Sequence, residues 1–274
     1  MNKISFIGAG NMARAIIIGL VNSGVLAKNI MVANPSEEKR LKLAQEFGVL
    51  QTDDNNKASD FADVIVLCVK PHFISEVCQR ISQEIDITGK LFISVAAGRT
   101  VEQVQQPLVQ GSNKALPALV RVMPNTPSQL GLGMSGLFAS NEVSIEQKSI
   151  AEKLMSAVGK IIWLDTEDQI NDIIAVAGSA PAYFFLFMEA MEKQAQSLGF
   201  SAQESRMLVQ QTALGAAQMV AHNDDDDIST LRANVTSKGG ATHAAIEQFK
   251  HDGMEEMVKN AMNAAIARAE EMAK

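Results

Sequence analysis

Residues 4–20, ISFIGAGNMARAIIIGL, constrain this chain more than any other stretch. A short apolar, β-rich run ends at Gly8, and a helical run begins within three residues. Gly8, Gly10 and Ala13 stand in G-x-G-x-x-A spacing. The first glycine permits a tight turn, the second lets the backbone approach a pyrophosphate, and a small third residue lets helix and strand pack closely. The helix start adds free N–H groups and the positive end of its dipole. Gly8, Ala9, Gly10, Asn11, Met12 and Ala13 therefore form a candidate phosphate loop opening a β–turn–α unit.

Strand and helix alternate up to about residue 163. The strand candidates are 3–8, 30–34, 64–69, 91–96, 119–124 and 160–164, with helical patterns such as 36–47 and 73–81 between them. Such alternation predicts a mostly parallel sheet covered on both faces, and the unbroken apolar strands fit burial on both sides. From about Thr166 the β-rich runs disappear. Thr166 with Gln169 and Ser201 with Glu204 read as capping boxes, Pro181 suits a first helical turn, and Gly199 closes that helix. The Ala-, Met- and Gly-rich run 207–221 suits a helical bundle or a subunit interface. The expected fold class is α/β: a dinucleotide-binding domain over 1–164, followed by an all-α domain over 165–274.

A chain of 274 residues has room for two domains. Its net charge of −7 argues against a nucleic-acid surface, so an anionic ligand needs a local pocket of N–H donors. No apolar run approaches the roughly eighteen residues of a membrane span, and the apolar start lacks the flanks of a secretory signal. The expectation is a cytoplasmic protein without nucleic-acid or membrane partners. Cys68 and Cys78 lack metal spacing and are expected as reduced thiols in or near the core. Asp224–Asp227 reads as a solvated loop between helices.

The end of the second strand bears on the choice of dinucleotide. An acidic residue there would bind the ribose 2′-hydroxyl of NAD, but the chain has Asn34 and then Ser36. Both can donate to a 2′-phosphate, with Lys39 or Arg40 in support and Glu37 and Glu38 in opposition. The expectation is NADPH, with NADH possible. Cys68, Val69, Lys70 and Pro71 follow one strand, and Val95, Ala96 and Ala97 follow the next; both should border the same crevice. Read alone, each is equally a plain strand-to-loop junction. The same two readings stay open for Asn125 and Thr126.

One later stretch departs from its helical surroundings. Residues 235–243, VTSKGGATH, place two glycines and three hydroxyls where Gly costs about 1 kcal/mol against Ala in a helix. On its own this is either a helix break with a hydroxyl cap or a binding loop.

With the glycine loop, CVKP (68–71), SVAAG (94–98), RVMPNTP (121–127), GSAPAY (178–183) and NVTSKGGAT (234–242) in this order, the chain resembles the pyrroline-5-carboxylate reductase family along nearly its whole length. TSKGGAT is the most specific piece. The resemblance implies a Rossmann domain and a helical dimerisation domain in a homodimer or higher homo-oligomer. It also implies NAD(P)H-dependent reduction of 1-pyrroline-5-carboxylate to L-proline, the last step of proline biosynthesis. Cofactor contacts then fall on Gly8–Ala13, Asn34, Asn56, Cys68–Pro71 and Val95–Ala97. The substrate loop falls on Asn234 and on Ser237 through Thr242, including Gly239, Gly240 and Ala241. Lys238 stands where the family often has Pro, and Ala180 where it often has Gly.

A cyclic imine bearing a carboxylate needs anion donors and a face open to hydride. Gly239 and Gly240 are expected to expose backbone N–H groups to the carboxylate, with Ser237 adding a hydroxyl. Thr242, one turn into the following helix, is expected to reach the ring nitrogen. Ser237 and Thr242 are thus the candidate catalytic residues, and no metal is required. His72, His222, His243 and His251 have no ligand spacing. Tyr183, Phe184, Phe185 and Phe187 read as helix core. Two other readings remain: a two-domain reductase of another small imine or hydroxy acid, and a non-catalytic NADP-binding scaffold. The paired glycines and hydroxyls of the late loop favour an imine acid over a hydroxy acid, and the loop counts against the scaffold.

Overall fold

The structure is a computed structural model that describes residues 2–109 and 115–273. Its strands are β1 (Ile4–Ile7), β2 (Ile30–Ala33), β3 (Leu50–Thr52), β4 (Val64–Leu67), β5 (Leu91–Ser94), β6 (Ala118–Met123), β7 (Gly133–Ala139) and β8 (Gly159–Trp163). Interleaved with them are α1 (Asn11–Asn22), α2 (Glu37–Phe47), α3 (Asn55–Phe61), α4 (Ile74–Glu84), α5 (Val101–Leu108) and α6 (Ile145–Ser156). Then come α7 (Gln169–Ile173), α8 (Ala180–Ser197), α9 (Ala202–His222), α10 (Ile228–Asn234), α11 (Ala241–His251) and α12 (Met254–Ala273).

The strands form one sheet in the order β3-β2-β1-β4-β5-β6-β7-β8. Every pairing is parallel except β6 with β7. All residues of β1, β2, β4 and β5 are buried, which explains an apolar composition broken in these strands by Ser5 and Ser94 alone. One face packs Phe6, Val32, Val66 and Ile93 against α1 and α6, through residues such as Ile16, Ile17, Leu154 and Met155. The other packs Ile7, Ile65, Leu67 and Phe92 against α4 and α5, through Ile74, Cys78, Ile81, Val104 and Leu108. The strand order reverses beside β1, which pairs β2 on one side and β4 on the other. Ligands of such sheets bind at that switch point, outside the carboxyl ends of the strands.

Two strands have little sequence signal. β3 is three residues long, and its first two are exposed. β7, GMSGLFA, is short of β-formers because its glycines admit close neighbours. A Cβ on Gly136 would stand 2.8 Å from the Ile173 side chain.

The chain divides into two compact units, Met1–Ser179 with Ala265–Lys274, and Ala180–Ala264. Residues between 165 and 179 pack with the first unit: Ile173 lies over Gly136, and Asn125 Nδ2 donates to Ala177 O at 3.1 Å. The capping box at Ser201 and Glu204 forms as its residues dictate. The one expected at Thr166 does not, because α7 begins only at Gln169. The Gln169 side chain instead accepts from the N–H groups of Asp165 and Thr166.

α7, a π turn over Ile174–Gly178 and α8 make up one helical stretch, Gln169–Ser197, interrupted by a bend at Ser179. By length and composition it could cross a membrane, with a mean hydropathy of 1.6 over its most apolar window. The sequence shows no apolar run of that length, because Gly178, Ser179 and Pro181 interrupt it. Phe184, Phe185 and Phe187 of α8 are exposed at 65%, 63% and 42%, so they are not core of this chain as their helical spacing suggested. The Asp224–Asp226 run lies in an exposed turn between α9 and α10, as expected.

Candidate functional site

The turn after β1 is built around Gly8. Its φ of +113° lies where side chains are strained, and a Cβ there would sit 2.7 Å from Cys68 O. Its N–H donates to Ala33 O at 2.8 Å, so the turn is locked between β2 and β4. Gly10 has the opposite surroundings. A Cβ would meet nothing within 4 Å, and the residue is exposed, as is Asn11. Gly10 is the N-cap of α1 and no side chain caps that helix, so its first-turn N–H groups remain available to a ligand. Ala13 is fully buried, while Ala9 and Met12 pack partly against the same core. The loop thus has the tight turn, open backbone and buried small residue that a pyrophosphate cradle requires.

At the end of β2, Asn34 Oδ1 accepts from the N–H of Ser36 at 2.8 Å. This turn engages the oxygen of the Asn34 side chain. Ser36 is the N-cap of α2, yet its hydroxyl does not cap the helix. Arg40 is held behind the turn: Nε donates to Gln51 Oε1 at 2.8 Å, and Nη1 lies 3.5 and 3.4 Å from the carbonyls of Asn34 and Pro35. Glu37 is only loosely paired with it, at 3.9 Å. The arrangement offers donors and a fixed cation, with no carboxylate at the strand end.

Asn56 lies in the first turn of α3. Its Nδ2 donates to Glu84 Oε2 at 2.7 Å, and its Oδ1 is buried without a partner among the described residues. It borders a cleft of about 290 Å³ with Asp53, Asp54, Asn55 and Arg80.

The next two strand ends are tied together. Cys68 N donates to Ile7 O at 2.9 Å, Pro71 opens a short helical turn, and Lys70 is exposed. Val95 N donates to Leu67 O at 3.2 Å; Ala96 is buried, and Val95 and Ala97 are half-buried. Arg99 Nε then donates to Pro71 O at 3.0 Å, joining the two loops. Cys68 and Cys78 are free thiols, each pushed up to about 12 by burial, so both stay neutral. Neither is a nucleophile in this environment.

Asn125 proves to be a brace. It is buried, donates to Ala177 O, and accepts from Met134 N at 3.0 Å. Its side chain is committed to the fold.

In the second unit, α10 ends at Asn234 and α11 begins at Ala241. Gly239 has φ +77°, a conformation that only glycine adopts without strain. Gly240 N–H donates to Ser237 O at 2.9 Å, so the expectation that this N–H faces a ligand is corrected. The turn spends it internally. Gly240 is instead the N-cap of α11, again with no side-chain cap. The available donors are therefore the first-turn N–H groups at Ala241, Thr242 and His243. Ser237, Lys238, Ala241, Thr242 and Asn234 are exposed, so both candidate hydroxyls are accessible. Thr236, by contrast, donates its hydroxyl to Arg232 O at 2.6 Å. The loop is a helix break whose one uncapped N-terminus is flanked by the hydroxyls of Ser237 and Thr242.

Sequence reasoning missed Arg99, Gln51 and Glu84, which act through contacts 28, 11 and 28 residues away. It also missed the pairing of buried Arg121 with half-buried Glu167, 46 residues apart. No local pattern marks any of them. No group of three or more His, Cys, Asp or Glu is placed to hold a metal among the described residues.

Comparison with known proteins agrees with both halves of this description. Residues 167–272 match the family model described as pyrroline-5-carboxylate reductase dimerisation, and residues 3–98 match that described as NADP oxidoreductase, coenzyme F420-dependent. The chain is 54% identical over 272 residues to a pyrroline-5-carboxylate reductase of Vibrio alginolyticus, covering 99% of this chain and 98% of the relative. A pyrroline-5-carboxylate reductase structure from Coxiella burnetii superposes with a TM-score of 0.93 at 42% identity, covering 100% of this chain and 99% of the other. A Plasmodium falciparum pyrroline carboxylate reductase, solved with NADP bound, gives 0.85 at 26% identity, covering 100% and 98%. On the length and level of this identity, the chain belongs to the pyrroline-5-carboxylate reductase family.

Proposed function

We propose that this protein reduces 1-pyrroline-5-carboxylate to L-proline with NADPH, the closing step of proline biosynthesis. The observation that carries the reading is the presence, on one chain, of two uncapped helix N-termini of different kinds. At α1 the start is glycine-lined and open to a pyrophosphate; at α11 it is flanked by two exposed hydroxyls. Family membership supplies the substrate class.

Gly8–Ala13 receives the pyrophosphate of the dinucleotide. Asn34, Ser36 and the fixed cation of Arg40 favour a 2′-phosphate over a bare ribose. Asn56 is assigned to the adenosine side, and Cys68–Pro71 with Val95–Ala97 to the nicotinamide side. The small side chains of Ala96 and Ala97 leave room for a ring there. When bound, the reduced nicotinamide supplies the hydride. The residues of this chain position the acceptor. Ser237 and the first-turn N–H groups of α11 hold the substrate carboxylate, with Asn234, Gly239, Gly240 and Ala241 shaping the loop. The Thr242 hydroxyl hydrogen-bonds the imine nitrogen. Ala180 and Lys238 remove none of these donors.

In functional terms 1–164 is the nucleotide domain and 165–274 the dimerisation and substrate domain, in a homodimer or larger homo-oligomer. The exposed apolar residues of α8 and α9, Phe184, Phe185, Leu186 and Met207 among them, support a second copy as their cover. The two free thiols fit the reducing cytoplasm, where we place the reaction. The test is direct. Purified protein should oxidise NADPH only when pyrroline-5-carboxylate is added, with proline appearing in equal amount. NADPH binding without turnover would overturn the reading.

A further inference from the structure

The mechanism leaves unused an ion pair between the buried Arg121 and the half-buried Glu167, next to the nicotinamide-side loop. Arg121 of β6 is 3% exposed and stands in register with Ser94, the last residue of β5. Its Nη1 donates to Glu167 Oε1 at 2.8 Å. The same oxygen accepts the N–H of Val101, the first residue of α5, at 2.7 Å. Thr100 completes that helix start with a capping box to Gln103. Only Gly98, Arg99 and Thr100 separate Val101 from Ala97. Glu167 itself lies between β8 and α7 in the chain.

Stability alone is a poor explanation for such a pair. Removing an arginine from water costs several kcal/mol, and an apolar pair of the same volume often serves as well or better. The cost is increased here because Arg121 Nη2 is buried with no partner among the described residues. That atom is sealed from solvent, so it is not a ligand contact. What the pair does uniquely is fix one carboxylate oxygen at the start of α5. Arg99, through Pro71 O, holds the other side of the same loop.

We propose that Arg121 and Glu167 are positioning residues for the nicotinamide half of the cofactor, acting through Val101 on the Val95–Ala97 loop. The inference rests on the NADPH-dependent reading above. It distinguishes the two halves of the dinucleotide, since the hydrogen bonds of the pair run to the start of α5, beyond the Val95–Ala97 loop.

The experiment compares NADPH with 2′,5′-ADP, which carries the phosphates of the adenosine half and lacks nicotinamide. Two variants are used: E167Q, and the double variant R121M with E167L, which removes both charges and the acceptor for Val101. Binding is followed by calorimetry and turnover by NADPH oxidation. The double variant should keep its melting temperature and its affinity for 2′,5′-ADP. Its NADPH affinity should fall, and kcat should drop roughly 10- to 100-fold, the scale of a misplaced reacting group. E167Q should lie between it and wild type. Wild-type kcat and NADPH affinity in the double variant would overturn the proposal, because the pair would then be a packing element. Equal weakening of NADPH and 2′,5′-ADP would overturn it too, by showing a general effect on the nucleotide domain. If the double variant does not fold, E167Q decides by the same comparison. If wild-type protein binds NADPH but does not reduce the imine, the functional reading falls and the binding comparison still judges the pair.

Discussion

A Cβ on Gly8 would stand 2.7 Å from the carbonyl oxygen of Cys68, whereas a Cβ on Gly10 would touch nothing within 4 Å. The two glycines of one loop therefore serve different ends. Gly8 lets β1 turn past β4; Gly10 leaves open the space in front of α1.

Alanine at each position should separate those roles. Gly8→Ala imposes a strained φ, worth about 1–3 kcal/mol, besides the contact with Cys68. The melting temperature should fall by roughly 2–4 °C for each kcal/mol lost. Gly10 has φ −82°, which alanine adopts freely, so Gly10→Ala should melt like wild type. Its NADPH affinity should nevertheless fall about tenfold or more, a loss of roughly 1.4 kcal/mol. Thermal melts and calorimetric titration check both, and normal NADPH binding by Gly10→Ala would remove the phosphate role from this loop.

Asn34→Asp should reverse the cofactor preference. Aspartate retains the acceptor that binds Ser36 N–H, so the turn survives. The added charge repels a 2′-phosphate and suits a ribose hydroxyl. The ratio of kcat/KM for NADPH over NADH should drop; an unchanged ratio would assign discrimination to other residues, with Arg40 the first to examine.

Thr242→Ala and Ser237→Ala should differ in kind. A hydrogen bond to a charged centre contributes about 1.5–3 kcal/mol, so loss of the Thr242 hydroxyl should lower kcat/KM roughly 10- to 150-fold. NADPH affinity should stay near normal, since the cofactor loops lie in the other unit. Ser237→Ala should raise KM more than it lowers kcat, because the carboxylate it binds is charged before and during reaction. Wild-type kinetics in both would reduce the loop to a helix break.

Phe185→Glu should yield monomers. The residue is 63% exposed on this chain beside Phe184 and Leu186, and a carboxylate placed in an apolar dimer core is costly. Sedimentation at micromolar concentration should show half the wild-type mass, with unchanged helical content. A stable dimer would place the contact on another face.

The thiols of the buried Cys78 and the half-buried Cys68 should resist modification. Cys68 and Cys78 ionise near 12 in the fold against an ordinary value of 9.0, so both remain neutral at pH 8 and react slowly with an aromatic disulfide. Denaturant should expose two thiols per chain. Because the folded value is raised, the stability they contribute is complete below pH 9 and declines as pH rises from there toward 12. A thiol that reacts fast in the native protein would contradict this raised ionisation.

What the sequence determined by itself is local. The glycine loop, the Ser201 capping box, the proline start of α8 and the glycine break before α11 depend on residues within a few positions of one another. Their conformational limits act in any fold that contains them. Largely apolar runs likewise announced β1, β2, β4 and β5, because strands buried on both faces cannot carry polar alternation. The tertiary structure decided the rest, through contacts between distant residues. β3 and β7 are strands because a neighbouring strand pairs them, and β7 keeps glycines because Ile173 presses on it. Gly240 lost its donor to a turn that only the folded loop reveals. Asn56 reaches Glu84, Arg99 reaches Pro71, and Arg121 reaches Glu167 across gaps that no periodicity spans. A motif is legible where backbone geometry restricts the residue itself. A partner is legible only once packing has brought it near.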